Sequence, residues 1–558
     1  MDAKFAILAI MDGWGIAAPG PGNAISRANA ANISRYYLSY PHTQLQASGE
    51  AVGLPAGEAG NTETGHLNLG AGRIIYQDLA RINMSIADGT FFLNENLNKA
   101  IDHVKQNNSS LHVMGLLGAG GVHSNMEHLF ALIRLAKEKE IKNLFLHLFT
   151  DGRDSPPTAA KIYIEKVKEV ISREGVGQIA SIMGRYWAMD RDQRWERTQK
   201  AYMALTLGEG NLVKTEQEAI ESSYELGKTD EFIEPSIITK DGKPIATVKE
   251  NDAVIFFNFR IDRPRQLTRA FAYTDFRQAN ISKSFDPYSV KYNKKHNLSQ
   301  EEQQTLVHPT FERGEKIKNL LFVTMTEYEK NLTQEGVLTA FPPEKVDMPL
   351  GRVVAEAGFK QLRCSESEKE RFVTFYFNGQ QEIPFELEER LIISSPKVAT
   401  YDLKPEMSAI ELTDTLLNKL KSNLDYKLIV VNFANADMVG HTGNIGSTVK
   451  ACEIVDECVA RLANFALAYD GALFITADHG NAEDMINPQT GQASTEHSTN
   501  PVPFIIIHKD LMGRSEMLTT GVLADVAPTI IASLGLNVPS QMTGRNLMEN
   551  MNLSKSSY

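Results

Sequence analysis

Acidic and imidazole side chains recur in this chain just after apolar runs, in spacings that suit metal ligation. Asp437 and His441 stand four residues apart, so on a helical turn both face the same way and can hold one ion. Asp478 and His479 are adjacent, and adjacent side chains diverge, which points this pair to a different ion. Asp12 could join the second pair and His497 could complete the first. Carboxylates and imidazoles without thiolate suit Mn²⁺, Zn²⁺ or Mg²⁺. Two such ions would lower the pKa of a hydroxyl placed beside them and neutralise a phosphoryl group in transfer. The stretch Gly60 to Arg73 offers a hydroxyl in a Gly-rich loop, where backbone N–H groups can crowd around an anion.

A second constellation is cationic. Arg153, Arg185, Arg191, Arg260 and Arg263 form the set that a phosphate plus a carboxylate needs, because the guanidinium fork matches both groups bidentately. His123 and Asp154 could add hydroxyl recognition and proton transfer.

The elements that must position these groups are buried parallel strands. Phe5 to Met11 is continuously apolar and ends in Asp12. Leu111 to Leu117, Leu144 to Phe149, Ile179 to Met183 and Ala253 to Phe257 repeat the plan, and charged residues follow each of them. Leu428 to Phe433, Ala472 to Thr476 and Phe504 to Ile507 resume it near the other end of the chain. Ligands of open α/β sheets bind beyond the carboxyl ends of strands. Helices are predicted from about Asn125 to Lys139 and from about Ser447 to Leu467. Residues of about 277–312 are polar and without apolar periodicity, and read as a surface insertion. Phe341-Pro342-Pro343 reads as a stiff connector.

At 558 residues the chain is too long for one core. Its net charge of −12 argues against nucleic acid or a membrane surface as partner, but leaves room for a small anionic substrate held by local arginines. Three cysteines make no disulfide framework; Cys452 and Cys458 read as core thiols in a reducing compartment. The apolar run near the N-terminus is too short for a membrane span, and the expected location is cytoplasmic.

The motifs Met11-Asp12-Gly13-Trp14-Gly15, Gly60 to Arg73, Asp151 to Asp154, Met189 to Asp192, Asn258-Phe259-Arg260, Asn435 to His441 and Thr476 to Asn481 occur in that order. With them the chain resembles the cofactor-independent phosphoglycerate mutases of the alkaline-phosphatase superfamily. The resemblance implies two α/β domains, a discontinuous phosphatase-like metal-binding domain (1–76 and 343–558) and an inserted phosphotransferase domain (77–342). It implies two divalent ions, commonly Mn²⁺ with Mg²⁺, Co²⁺ or Zn²⁺ as alternatives, and no need for 2,3-bisphosphoglycerate. Asp437, His441 and His497 would hold one ion; Asp12, Asp478, His479 and Thr62 the other.

Thr62 would be the nucleophile, and Lys369 would lie beside the phosphoryl group. His123, Arg153, Asp154, Arg185 and Arg191 would bind the glycerate portion, with Arg260 and Arg263 on its phosphate or carboxylate. The expected protein is a monomer that interconverts 3-phosphoglycerate and 2-phosphoglycerate through a phosphothreonine. The alternative is a metal-dependent phosphomonoesterase or another phosphomutase with the same metal core. Two departures from the family stand out: Thr62 replaces the usual serine, and the insertion has no counterpart in shorter members.

Overall fold

The computed structural model describes residues 3–277, 309–549 and 551. The chain divides into two compact units, Met1–Ala80 with Glu344–Tyr558, and Arg81–Pro343. The first crossing falls inside the helix Asp78–Asp88, a few residues beyond the expected position at 76/77, and the second falls directly after Pro343.

The first unit is built on an eight-stranded sheet. Its strands run in the order Glu388–Ile393, Lys360–Glu366, Tyr426–Phe433, Ala6–Met11, Ala472–Thr476, Val502–Ile507, His42–Gln46, Gly521–Val522. The first five are mutually parallel, and Val502–Ile507 is antiparallel to both of its neighbours. All six residues of Ala6–Met11 are buried. That burial on both faces is why the strand reads as an unbroken apolar run rather than an alternation. Met11 pairs with Phe433 and Ile10 with Thr476, so three adjacent parallel strands end together. Asp12, Asp437 and Asp478 follow those three ends. The long helix Ile445–Ala468 covers the sheet through Cys452, Val455, Val459 and Leu462.

The second unit carries a nine-stranded sheet. Its main path is Leu338–Phe341, Leu321–Thr326, Ala253–Phe256, Leu111–Leu117, Leu144–Thr150, Gln178–Gly184, Ser236–Lys240, Asn211–Val213, and Lys243–Pro244 pairs with Ser236–Lys240 off that path. The strands from Leu338 to Gly184 along that path are parallel, and Ser236–Lys240 is antiparallel to Gln178–Gly184. The predicted helix near 125–139 spans Met126–Glu138, with the Asn125 side chain capping it. Residues 278–308 of the expected insertion lie outside the described residues. Phe311, placed in the insertion by composition, instead packs against Trp195, Tyr202 and Phe276 at the edge of the core.

One expectation is overturned. Gly60 to Arg73 is not a loop: Thr62–Ala71 is a helix, capped by Asn61, whose side chain accepts from the Thr64 N–H. Its glycines serve close packing. A Cβ on Gly65 would lie 2.5 Å from the Asp478 carbonyl oxygen, and one on Gly70 would lie 1.9 Å from that of Phe377. The three cysteines are free and buried, and burial pushes the Cys458 thiol up to about 11. No helix among the described residues is long and apolar enough to cross a membrane.

Candidate functional site

In the first unit Thr62 opens its helix, so its hydroxyl sits at the end where backbone N–H groups lack helical partners. Thr62 Oγ1 is 3.0 Å from His479 Nε2 and accepts from Lys369 Nζ at 3.2 Å. Lys369 also donates to Asp12 Oδ1 and to Asp437 Oδ2, each at 2.8 Å. Burial works against the ammonium charge, but Asp12, Asp437 and Asp478 outweigh it and the Lys369 pKa is raised. Burial likewise raises Asp12, reinforced by the charge of Asp478. Burial pushes Asp437 up too, yet the Lys369 charge holds it well below the usual carboxylate range. The loops are stitched by backbone: Asp437 N–H donates to the Asp12 carbonyl, and the Asn481 and Ala482 N–H groups donate to that of Gly13.

Two arguments fit this donor set to cations. First, Asp12, Asp437 and Asp478 are all buried, and Lys369 is the ammonium placed among them. Ionised carboxylates out of water need compensation. Second, His441 Nδ1 contacts the Thr495 carbonyl at 2.7 Å and His497 Nδ1 that of Gly60 at 2.8 Å. Carbonyls only accept, so both protons sit on Nδ1 and both Nε2 atoms are lone pairs. Those lone pairs face each other at 3.0 Å, with Asp437 Oδ1 at 3.1 and 3.3 Å from them. Three lone-pair donors converging on one spot could hold a metal ion.

Asp437, His441 and His497 therefore come together, the first two as their spacing predicts. The rest of the expected set also gathers round Thr62, but its donor atoms group differently: Asp12 with Asp437 and His479, and Asp12 with His66 and Asp478. His66 was missed. Its Nδ1 lies 3.2 Å from Asp478 Oδ2, and Asn432 Nδ2 donates to its Nε2 at 3.0 Å and to Asp12 Oδ2 at 2.8 Å. The signal was present: His66 is four residues after Thr62, on the same helical face, and was hidden by reading the segment as a loop. Asn481, donating to Asp437 Oδ1 at 3.0 Å, was missed as well.

In the second unit most of the predicted arginines cluster round carboxylates, of which Asp151 and Asp262 are buried. Arg185 donates from Nη1 to Asp151 Oδ1 at 2.6 Å and Asp154 Oδ2 at 2.5 Å. Arg191 donates to Asp262 Oδ2 at 2.6 Å, and Arg260 Nε lies 3.4 Å from Asp262 Oδ1. Arg263 donates to the Met189 carbonyl, and burial, aided by Arg185, Arg191 and Arg153, lowers its pKa to about 10. His123 sits between Asp154 and Asp262, at 3.7 and 3.6 Å. Burial is the main reason its pKa falls to about 4, so its imidazole is neutral near pH 7. Arg153 is the outlier, half-exposed and 3.6 Å from Glu231. Five guanidiniums thus stand among four carboxylates, Asp151, Asp154, Asp262 and Glu231, and the surplus positive charge suits an anionic ligand. Asp151 and Asp262, the organisers of the set, were not singled out by sequence.

Comparison with known proteins decides the family. The family model described as BPG-independent PGAM N-terminus matches residues 82–330. A Clostridium botulinum protein named 2,3-bisphosphoglycerate-independent phosphoglycerate mutase is 49% identical over 98% of this chain and 100% of its own length. The chain belongs to the 2,3-bisphosphoglycerate-independent phosphoglycerate mutase family. A relative of the same name from Clostridium novyi is also 49% identical, again over 98% of this chain and its own full length. The crystal structure of Leishmania mexicana phosphoglycerate mutase at low cobalt concentration matches with a TM-score of 0.56 and 27% identity, covering 98% of both chains.

Proposed function

We propose that this chain is an isomerase that interconverts 3-phosphoglycerate and 2-phosphoglycerate without 2,3-bisphosphoglycerate, through a phosphothreonine at Thr62. The observation that carries the reading is the placement of Thr62 Oγ1, within 3.0–3.2 Å of His479 and Lys369 and at a helix N-terminus, beside the converging donors. Family membership supports the activity. Two divalent ions, Mn²⁺ by preference, would be held by Asp437, His441 and His497 and by Asp12, Asp478 and His479. When bound they supply Lewis acidity to the transferring phosphoryl group and lower the pKa of the Thr62 hydroxyl.

The chain's own groups do the rest. Lys369 carries its charge to the oxygens of the phosphoryl group. The phosphorus–oxygen bond to the 3-hydroxyl of glycerate breaks as the bond to Thr62 Oγ1 forms, and the hydroxyl proton ends on the departing oxygen. The return step runs in reverse from the 2-hydroxyl, so the net reaction is an isomerisation. The arginines of the second unit are read as the holders of the substrate's carboxylate and phosphate. Burial opposes ionisation of Asp154, but the Arg185 hydrogen bond keeps it ionised, fit to accept a hydroxyl proton of glycerate beside neutral His123. Free, buried cysteines support a cytoplasmic location.

The test is an enolase-coupled assay with Mn²⁺ and without 2,3-bisphosphoglycerate. Turnover of 3-phosphoglycerate to 2-phosphoglycerate is expected. Release of glycerate and inorganic phosphate in its place would make the chain a phosphomonoesterase.

A further inference from the structure

Glu483 is 3% exposed and none of the reaction steps uses it. Its carboxylate collects four hydrogen bonds from three loops. Oε2 accepts from the Gly15 N–H at 3.0 Å and from the Asn481 N–H at 2.9 Å. Oε1 accepts from the Ser498 hydroxyl, and from Asn500 Nδ2 at 3.1 Å. Each loop carries a proposed metal ligand close to the point of attachment: Asp12 three residues before Gly15, His479 two before Asn481, and His497 next to Ser498. A buried carboxylate that accepts several N–H and O–H groups makes bonds about twice as strong as neutral ones.

The sequence makes room for this carboxylate. A Cβ on Gly15 would lie 2.2–2.5 Å from Cδ and both oxygens of Glu483, and one on Gly480 would lie 2.3 Å from Oε1. Neither glycine has a positive φ. Their lack of a side chain is therefore explained by the approach of Glu483 and not by a turn.

We infer that Glu483 is a positioning residue that holds the Asp12, Asp478–His479 and His497 loops in mutual register for the ions. The inference rests on the metal reading above. Its test separates hydrogen bonding from general packing. In Glu483→Gln the amide oxygen can keep the Gly15 and Asn481 N–H groups, while the amide nitrogen meets Ser498 Oγ, which can turn and accept, so that the Asn500 Nδ2 bond alone is lost. Glu483→Ala loses all four bonds. Gly15→Ala displaces the carboxylate without removing it.

Metal-depleted wild type, Glu483→Gln, Glu483→Ala, Gly15→Ala and the Gly15→Ala/Glu483→Ala double variant are titrated with Mn²⁺ by calorimetry, with circular dichroism as the check of folding. We expect near-wild-type affinity for Glu483→Gln and a loss of about tenfold or more for Glu483→Ala and Gly15→Ala. The double variant should bind no worse than Glu483→Ala, because the clash disappears with the carboxylate. If Glu483→Ala does not fold, Gly15→Ala and Glu483→Gln decide. Wild-type affinity in either Glu483→Ala or Gly15→Ala overturns the inference and leaves the metal reading intact. Failure of the wild type to bind Mn²⁺ removes the metal reading, and this inference with it.

Discussion

His441 Nε2 and His497 Nε2 face each other at 3.0 Å, each with its other ring nitrogen against a backbone carbonyl. Without a cation, a proton is drawn into the same place. The Asp437 hydrogen bond raises His441; burial pulls His497 down, but Asp437 outweighs it and raises that pKa too. In metal-free protein their stabilising contribution is full below the unfolded value of 6.5 and is lost as pH rises through the raised folded values. Metal binding has the opposite slope, because it must displace those protons. As pH falls through the raised folded values to 6.5 the chelated protein should gain melting temperature from this pair while Mn²⁺ affinity falls. Differential scanning fluorimetry with and without EDTA, beside His441→Gln, reads both; equal slopes for chelated and loaded wild type would contradict the site. Chelation should also abolish activity, and Mn²⁺ should restore it.

Thr62 has a β-branched side chain with few χ1 wells, so its hydroxyl is held on His479 and Lys369 with little freedom. Thr62→Ser keeps the hydroxyl and relieves crowding at the attacking oxygen; it should retain activity or exceed the wild type. Thr62→Ala should lower kcat by about 10⁴-fold or more, with a smaller effect on Mn²⁺ affinity because the carboxylates and imidazoles remain. Rapid quenching with substrate and mass spectrometry of the Gly60–Arg73 peptide should show a phosphothreonine. Undiminished turnover in Thr62→Ala would move attention to Thr64.

Glu366 ends the strand Lys360–Glu366, with Oε1 accepting from the Ser408 N–H at 2.8 Å. Burial pushes its carboxyl up to about 7 from 4.5. A raised carboxyl favours the folded state when protonated, so its contribution is present below 4.5 and is lost as pH climbs through about 7. Glu366→Gln imitates the protonated form. It should stabilise the protein by about 2 kcal/mol at pH 8 and by little at pH 5. Urea midpoints at the two pH values check this, and equal shifts at both would count against it.

The chain on either side of residues 278–308 is pinned together. Phe276 and Phe311 meet edge to face at 4.8 Å, both contact Trp195, and Arg313 donates to the Ala270 and Tyr273 carbonyls. Replacing 280–308 with a short Gly/Ser bridge should leave Mn²⁺ binding unchanged and the fold cooperative. Loss of metal binding in that deletion would show that the segment serves the first unit.

The strands were legible because burial on both faces writes itself as unbroken apolar runs, and the ligands at their ends followed. The Asp437–His441 pair was legible through helical spacing. The Thr62–Ala71 helix was not, because nine of its ten residues are buried and it has no polar face to create a periodicity. Its glycines and asparagine lower helix propensity, and packing against Asp478 and Phe377 overrides that preference. His66 was lost with the helix. Asn432, Asp151, Asp262 and Glu483 also reach partners far away in sequence, such as Asp12, Arg185, Arg191 and Gly15, and local pattern carries no trace of those contacts.

The central strand Ala6–Met11 is flanked by Tyr426–Phe433 on one side and Ala472–Thr476 on the other. During synthesis both neighbours emerge more than four hundred residues after it. The second unit, Arg81–Pro343, is a continuous stretch whose strands all precede those partners. It can fold during synthesis while the first strand waits, apolar and unpaired. At about 5–20 residues per second that wait lasts on the order of tens of seconds. The nascent chain should therefore depend on holding chaperones at this strand, and conditions that slow elongation should raise aggregation of the first unit more than of the second.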